Sequence, residues 1–176
     1  MKKCLFASLL AVLSLAGCTK TDPLEGTPAA TPLRANGQGH TSGNTVPLKG
    51  SFTTVATPLP SSPGELRLQI NGAGNVSHLG KARFLDYATV DFTSGPPFHA
   101  TGTSTVTAAN GDQYFTTFTV SITPRPNTTQ SDVLLLHTII GGTGRFSRAT
   151  GFYTGHDVLD TTTPVGLLTI EGEISY

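Results

Sequence analysis

The sequence predicts an all-β domain closing into an eight-stranded antiparallel barrel, with a β-sandwich as the alternative architecture. Three observations carry this expectation. Short β-type runs recur between turn residues after position 45, no window of the mature chain shows a 3.6-residue apolar period, and charged residues make up only 12% of the chain. Low charge with abundant Thr, Val, Ile and Phe suits half-buried pleated strands. Without crossover helices, neighbouring strands must run antiparallel, and closure removes the exposed edges that invite aggregation.

The elements begin with an export segment. Lys2 and Lys3 precede an apolar stretch from Leu5 to Leu15, which ends in the small pair Ala16-Gly17 and then Cys18. An apolar core of roughly 10 residues is too short for the ~20 that a membrane-spanning helix needs. Leu15-Ala16-Gly17-Cys18 resembles the lipobox of bacterial lipoprotein precursors. The resemblance implies that residues 1–17 are a signal peptide and that Cys18 becomes an acylated N-terminus. Several chains on one cysteine, palmitate among them, would give the stable membrane anchor that a single chain does not. An ordinary secretory signal with an incidental Cys18 is the alternative. Thr19 stands where some bacteria place the aspartate of inner-membrane retention, so the outer membrane of the envelope is the favoured location. Cys4 would be discarded and Cys18 alkylated, which leaves no thiol for a disulfide, a thiolate metal site or nucleophilic catalysis.

Residues 18–45 hold the acylated cysteine and a run of Pro, Gly and small polar residues without any period. Such a segment cannot bury enough apolar surface to offset its ordering entropy and reads as a flexible tether, with His40 a solvated residue in it. The barrel domain is assigned to 46–176, with strands at 46–55, 65–71, 81–92, 99–108, 113–123, 133–140, 150–159 and 167–176. Within 113–123, Phe118, Val120 and Ile122 alternate with Thr117, Thr119 and Ser121; Leu168, Ile170 and Ile174 alternate with Thr169, Glu171 and Glu173 near the end. Asn110-Gly111 signals a hairpin. Pro58, Pro60, Pro63, Pro96, Pro97, Pro124 and Pro126 are placed in the gaps between strands.

Gly141-Gly142-Thr143-Gly144-Arg145-Phe146, followed by Ala149-Thr150-Gly151, is the most distinctive internal motif. It lacks the lysine of a phosphate loop and the third glycine of a dinucleotide fingerprint, and no helix pattern follows it. Its reading is structural: glycines allow a tightly curved backbone, Phe146 plugs one mouth of the barrel, and Arg145 and Arg148 stay in water. This motif resembles the corresponding turn of allene oxide cyclase and dirigent-like barrels. The segments 72–80 (GAGNVSHLG), 108–112 (AANGD) and 172–176 (GEISY) are similar to bacterial secreted members of that group. The resemblance spans about 110 residues, from Leu66 to the C-terminus. It implies an eight-stranded barrel, often trimeric in the plant relatives, and transfers no activity.

Among candidate functional side chains, His78 reads as a turn histidine bonded to backbone, or as a ligand or base at a barrel mouth. His137 shares a face with Val133, Leu135 and Ile139 and is either a satisfied core group or a lumen group. His156 would approach it only in one pairing register, and no metal is expected. Asp86 and Asp91 face opposite ways by alternation and form no pair. Glu171 and Glu173 share a face, and act as a lumen acid and base or as solubilising surface charges. No hydrolase, zinc-protease or Cys–His motif is present, and nothing calls for a cofactor. Eleven basic against eleven acidic residues give no electrostatic case for nucleic-acid binding. The expectation is a non-catalytic envelope lipoprotein whose barrel binds a small apolar ligand or a partner protein, with identical subunits covering the outer wall around 133–140. A cyclase- or isomerase-like enzyme working in the lumen, and a structural or adhesion module, are the alternatives.

Overall fold

The computed structural model describes residues 43–160 and 162–176. The signal segment, Cys18, His40 and nearly all of the tether lie outside the described residues. Eight strands follow in chain order: β1 (Thr45–Leu59), β2 (Glu65–Val76), β3 (Gly80–Asp91), β4 (Phe98–Thr107), β5 (Gln113–Pro124), β6 (Gln130–Gly142), β7 (Thr150–Asp160) and β8 (Val165–Ser175). Each pairs antiparallel with the next, and β8 pairs with β1, so the sheet is a closed barrel. The sandwich alternative is therefore excluded, and all eight sequence-predicted runs are strands. Pro58 and Pro124 are corrections: Pro58 lies inside β1, opposite Leu68 of β2, because β1 runs on past its contacts with β8 to keep pairing with β2, and Pro124 ends β5 opposite Ser131 of β6.

Alternation fixes the two faces of the wall. Leu48 and Phe52 of β1, Phe84 and Val90 of β3, Phe118 and Val120 of β5, and Leu168, Ile170 and Ile174 of β8 point inward and are buried. An eight-stranded barrel leaves an interior that side chains can nearly fill. Phenylalanines fill it by lying over glycines on the neighbouring strand. A Cβ at Gly72 would strike the ring of Phe84, and one at Gly102 the ring of Phe118, each being its register partner. Outside, β4 and β5 present threonines in matched pairs, Thr101 with Thr119 and Thr103 with Thr117.

The glycine-rich motif closes one end. Between Phe115 and Thr116 the β5–β6 register shifts, leaving Ile140 as an extra, exposed residue on β6. Gly141 follows at φ +127°, and the inward positions of β6 change from odd to even numbers. Gly142 then faces inward where a side chain would strike the Gln113 carbonyl and Phe146. A 3-10 turn, Gly144–Phe146, delivers Phe146 into the mouth with no exposed surface, while Arg145 and Arg148 stay exposed. Phe146 meets Tyr114 and Tyr176 edge-on at 5.8 and 4.9 Å. The guanidinium of Arg145 lies 4.6 Å from the Phe146 ring centre and donates to the His78 carbonyl at 2.8 Å. Asp112 accepts from the Arg145 backbone N–H at 3.3 Å and from Asn110 at 2.7 Å. The β2–β3, β4–β5 and β6–β7 loops are thus tied together over the plug.

Candidate binding site in the barrel lumen

Burial along the inner wall differs between the two ends. Near the plug, Leu48, Tyr114, Phe146 and Ile174 have no exposed surface. Toward the opposite end, Leu66, Leu68, Ile70, Ile122, Val133 and Leu159 are only partly buried. A cavity of about 100 Å³ occupies this second half and reaches the mouth at Ala56, Leu159 and Pro164. Its wall is mainly apolar, from Leu68 and Ile70 through Phe84, Ala88 and Ala100 to Phe118, Val120 and Leu135. The lumen is therefore a cup, closed by Phe146 and open at the end that carries the β1–β2, β3–β4, β5–β6 and β7–β8 connections.

Among the described residues, three polar side chains line the cavity: Thr54, Asp86 and Asp157. Asp86 is 3% exposed, and its Oδ1 has no hydrogen-bond partner. Burial pushes its carboxyl up to about 7, against a smaller opposing effect of the Ser104 hydroxyl, its register partner on β4. Asp157 sits at the rim, where its Oδ1 accepts the Leu167 N–H at 3.2 Å; a side chain at Gly166 would strike both its carboxylate and the Thr54 hydroxyl.

Between the cavity and the plug lies a polar layer. His137 Nδ1 is 3.0 Å from the Thr116 hydroxyl, and its ring packs between Phe118 and Tyr153, its register partners on β5 and β7. Burial lowers the imidazole to about 3, so the ring is neutral. Burial likewise raises the phenols of Tyr114 and Tyr153. The Tyr114 phenol interacts with that of Tyr153, whereas His137 Nε2 has no hydrogen-bond partner. His137 Nε2 and Asp86 Oδ1 are thus unsatisfied buried atoms, each costing about 1–3 kcal/mol when left so.

The other sequence-predicted residues lie away from the cavity. His78 is exposed in the β2–β3 turn at φ +63°, on the plugged side. Glu171 and Glu173 face outward, and Glu171 pairs with Lys49 at 2.6 Å, so theirs is the solvated role. His156 is also on the outer wall, opposite Leu134 and Thr169, and cannot join His137 in the interior. No cluster of three or more His, Cys, Asp or Glu suited to a metal ion occurs among the described residues. Of the residues read as a structural turn, Gly144 and Phe146 lie in the 3-10 turn, Gly141 and Gly142 end β6 and Gly151 lies in β7, with Gly144 and Gly151 at φ +52° and +140°. Asp86 and Asp157, the two acids that do face the cavity, were not singled out as site residues by sequence. The available signal was a carboxylate at an even position of β3, among the inward-facing Ala82, Phe84, Ala88 and Val90.

No protein-family profile, curated protein or solved structure matches the chain.

Proposed function

We propose that this chain is an envelope lipoprotein whose barrel serves as a blind-ended cup for a small, mainly apolar ligand. The observation that carries the reading is the half-open apolar cavity lined by Asp86, whose Oδ1 is unpaired. Binding pockets commonly combine apolar walls with a few polar groups that orient the guest. The cavity is small enough to select a single ring or short chain. Titration of the full chain with benzyl alcohol, followed by NMR, tests this. Saturable shifts at Ala88, Ala100 and Leu135, lost when Ala100→Phe fills the cup, are expected. No saturable change up to the solubility limit of the alcohol would sink the reading.

The anchor belongs to the same proposal. Cys18, acylated, would hold the barrel to the bacterial envelope, the outer membrane being favoured, with the segment 19–44 as leash. Mass spectrometry of protein from a lipoprotein-processing host should find an acylated Cys18 at the N-terminus; an unmodified Cys18 removes the anchor. The family reading stays with the allene oxide cyclase and dirigent-like barrels, on the glycine-rich motif and the eight-stranded closure that it helps to form. Copies of the chain itself are the proposed partners, through the outer wall of β6–β8.

A catalytic reading has one observation in its favour: a carboxyl titrating near 7 against an apolar cavity can give and take a proton at neutral pH. In an isomerase-like reaction, Asp86 would be that acid or base. Turnover of a cyclisable or isomerisable substrate that disappears in Asp86→Asn would favour this reading over simple binding.

A further inference from the structure

We infer that the guest of this cup is a small apolar cation, an ammonium group on an aromatic or short aliphatic body, received by Asp86. The inference rests on the cup being a binding site and adds the charge of what it binds. Among the described residues, the polar side chains lining the cavity are one hydroxyl and two carboxyls, with no Lys, Arg or His. A carboxylate only accepts hydrogen bonds, so Asp86 Oδ1, unpaired and buried, calls for a donor. A hydroxyl would satisfy the hydrogen bond and leave the charge uncompensated; an ammonium satisfies both. Asp157 stands at the rim, on the path such a group would take inward, and the two acids together oppose the entry of an anion. Phe84 and Phe118 also line the cavity, and aromatic rings favour a cationic guest.

The charge on Asp86 also sets a pH dependence. Among the described residues, Tyr114 and Tyr153 feel the Asp86 charge, Asp157 lines the same cavity, and His137 faces the lumen beside Tyr153. Burial keeps both phenols and His137 neutral between pH 5 and 8. Ionised Asp86 dominates above its titration near 7, and at pH 5 it is protonated, so a cation that needs the anion should bind about a hundredfold less tightly there than at pH 8. Binding of a neutral guest lacks that loss.

Three probes with one ring separate the possibilities: benzylamine, benzyl alcohol and benzoate, titrated into the full chain at pH 8 and pH 5. The expected order at pH 8 is benzylamine at least tenfold tighter than the alcohol, with benzoate weakest. The benzylamine advantage should vanish at pH 5 in the wild type, and at pH 8 in Asp86→Asn, with a smaller loss in Asp157→Asn. Benzoate or the alcohol equalling benzylamine, or a preference that survives Asp86→Asn, overturns the cationic guest and leaves the cup as a binding site. Failure of all three probes at both pH values overturns the cup itself. The comparison of pH values uses the wild type alone, so it stands even where a variant folds poorly.

Discussion

His137 lies flat against Tyr153, with ring centres 4.3 Å apart and planes 13° from parallel, two register partners on β6 and β7 facing the lumen. Held there at 2% exposure, the imidazole stays neutral down to about pH 3. Unfolded, the same histidine binds a proton near 6.5. The folded state therefore refuses a proton that the unfolded chain accepts, and His137 withdraws stability as pH falls from about 6.5 toward 3. His137→Phe removes this acid-side loss; near neutrality, losing the Thr116 hydrogen bond and removing the unpaired Nε2 act in opposite directions. Urea denaturation across pH should show the variant gaining stability relative to the wild type from pH 7 toward pH 4. An unchanged pH profile would count against a neutral, buried His137.

Asp86 works in the opposite direction. Its folded-state titration, near 7, lies above the value of 3.8 in the unfolded chain. The stability that its bound proton provides is fully present below about pH 4 and is lost as pH rises through 7, amounting to about 4 kcal/mol at most. Between about pH 4 and 6.5 this slope and that of His137 cancel, so the wild type should be nearly flat there. Asp86→Asn removes one of the two slopes. The variant should unfold at higher urea than the wild type at pH 8 and lose stability on acidification toward pH 4. Parallel wild-type and variant profiles would show that Asp86 does not carry this titration.

How much of this was legible in the sequence differs residue by residue. Period-two alternation placed Phe118, Val120 and Ile122 on one face, and His137 with Val133 and Leu135, because facing within a strand depends only on parity. Parity breaks at a bulge, which is why the pairing of Gly142 with Tyr114 could not be read. Depth along the barrel axis depends on the stagger between strands, and no local pattern encodes that. His137 and Asp157 both face inward from adjacent strands, yet only Asp157 reaches the cavity. Glu171 and Glu173 were correctly given a common face; their outward facing is set by Ile170, Gly172 and Ile174, which take the interior. Phe146 was legible as a plug because an aromatic in a glycine-rich turn has few other places to bury its ring.

That plug supports a third expectation. Phe146 has no exposed surface and contacts Tyr114 and Tyr176, while Arg145 covers it from outside. Truncation to alanine leaves a cavity under three cross-tied loops and should cost about 3–5 kcal/mol. Hydrogen exchange should quicken first at Thr143–Ala149 backbone amides, including Phe146 N–H, which donates to Thr143 at 2.9 Å. Arg145→Ala should cost far less, since its interactions are exposed. Equal losses in the two variants would mean that the loop ties, not the buried ring, close that end.

The outer wall offers the last test. Leu134, Leu136 and Ile140 on β6, Phe152 and Val158 on β7, and Val165 and Leu167 on β8 are each more than two-fifths exposed. Among the described residues, seven of the ten exposed large apolar side chains lie on these three adjacent strands, while Val55, Tyr87 and Phe92 lie elsewhere. Under the proposed self-association, these side chains, which alternate with Thr138, Thr154, His156 and Glu173, are where a second copy would dock. Sedimentation of the chain with Cys18→Ala, which removes lipid-driven aggregation, should show an oligomer. Leu136→Glu with Leu167→Glu should reduce it to a folded monomer whose thermal stability no longer depends on concentration, because both side chains lie outside the barrel core. A wild-type chain that stays monomeric at every concentration would leave the β6–β8 wall to a different protein, and self-association would have to be given up.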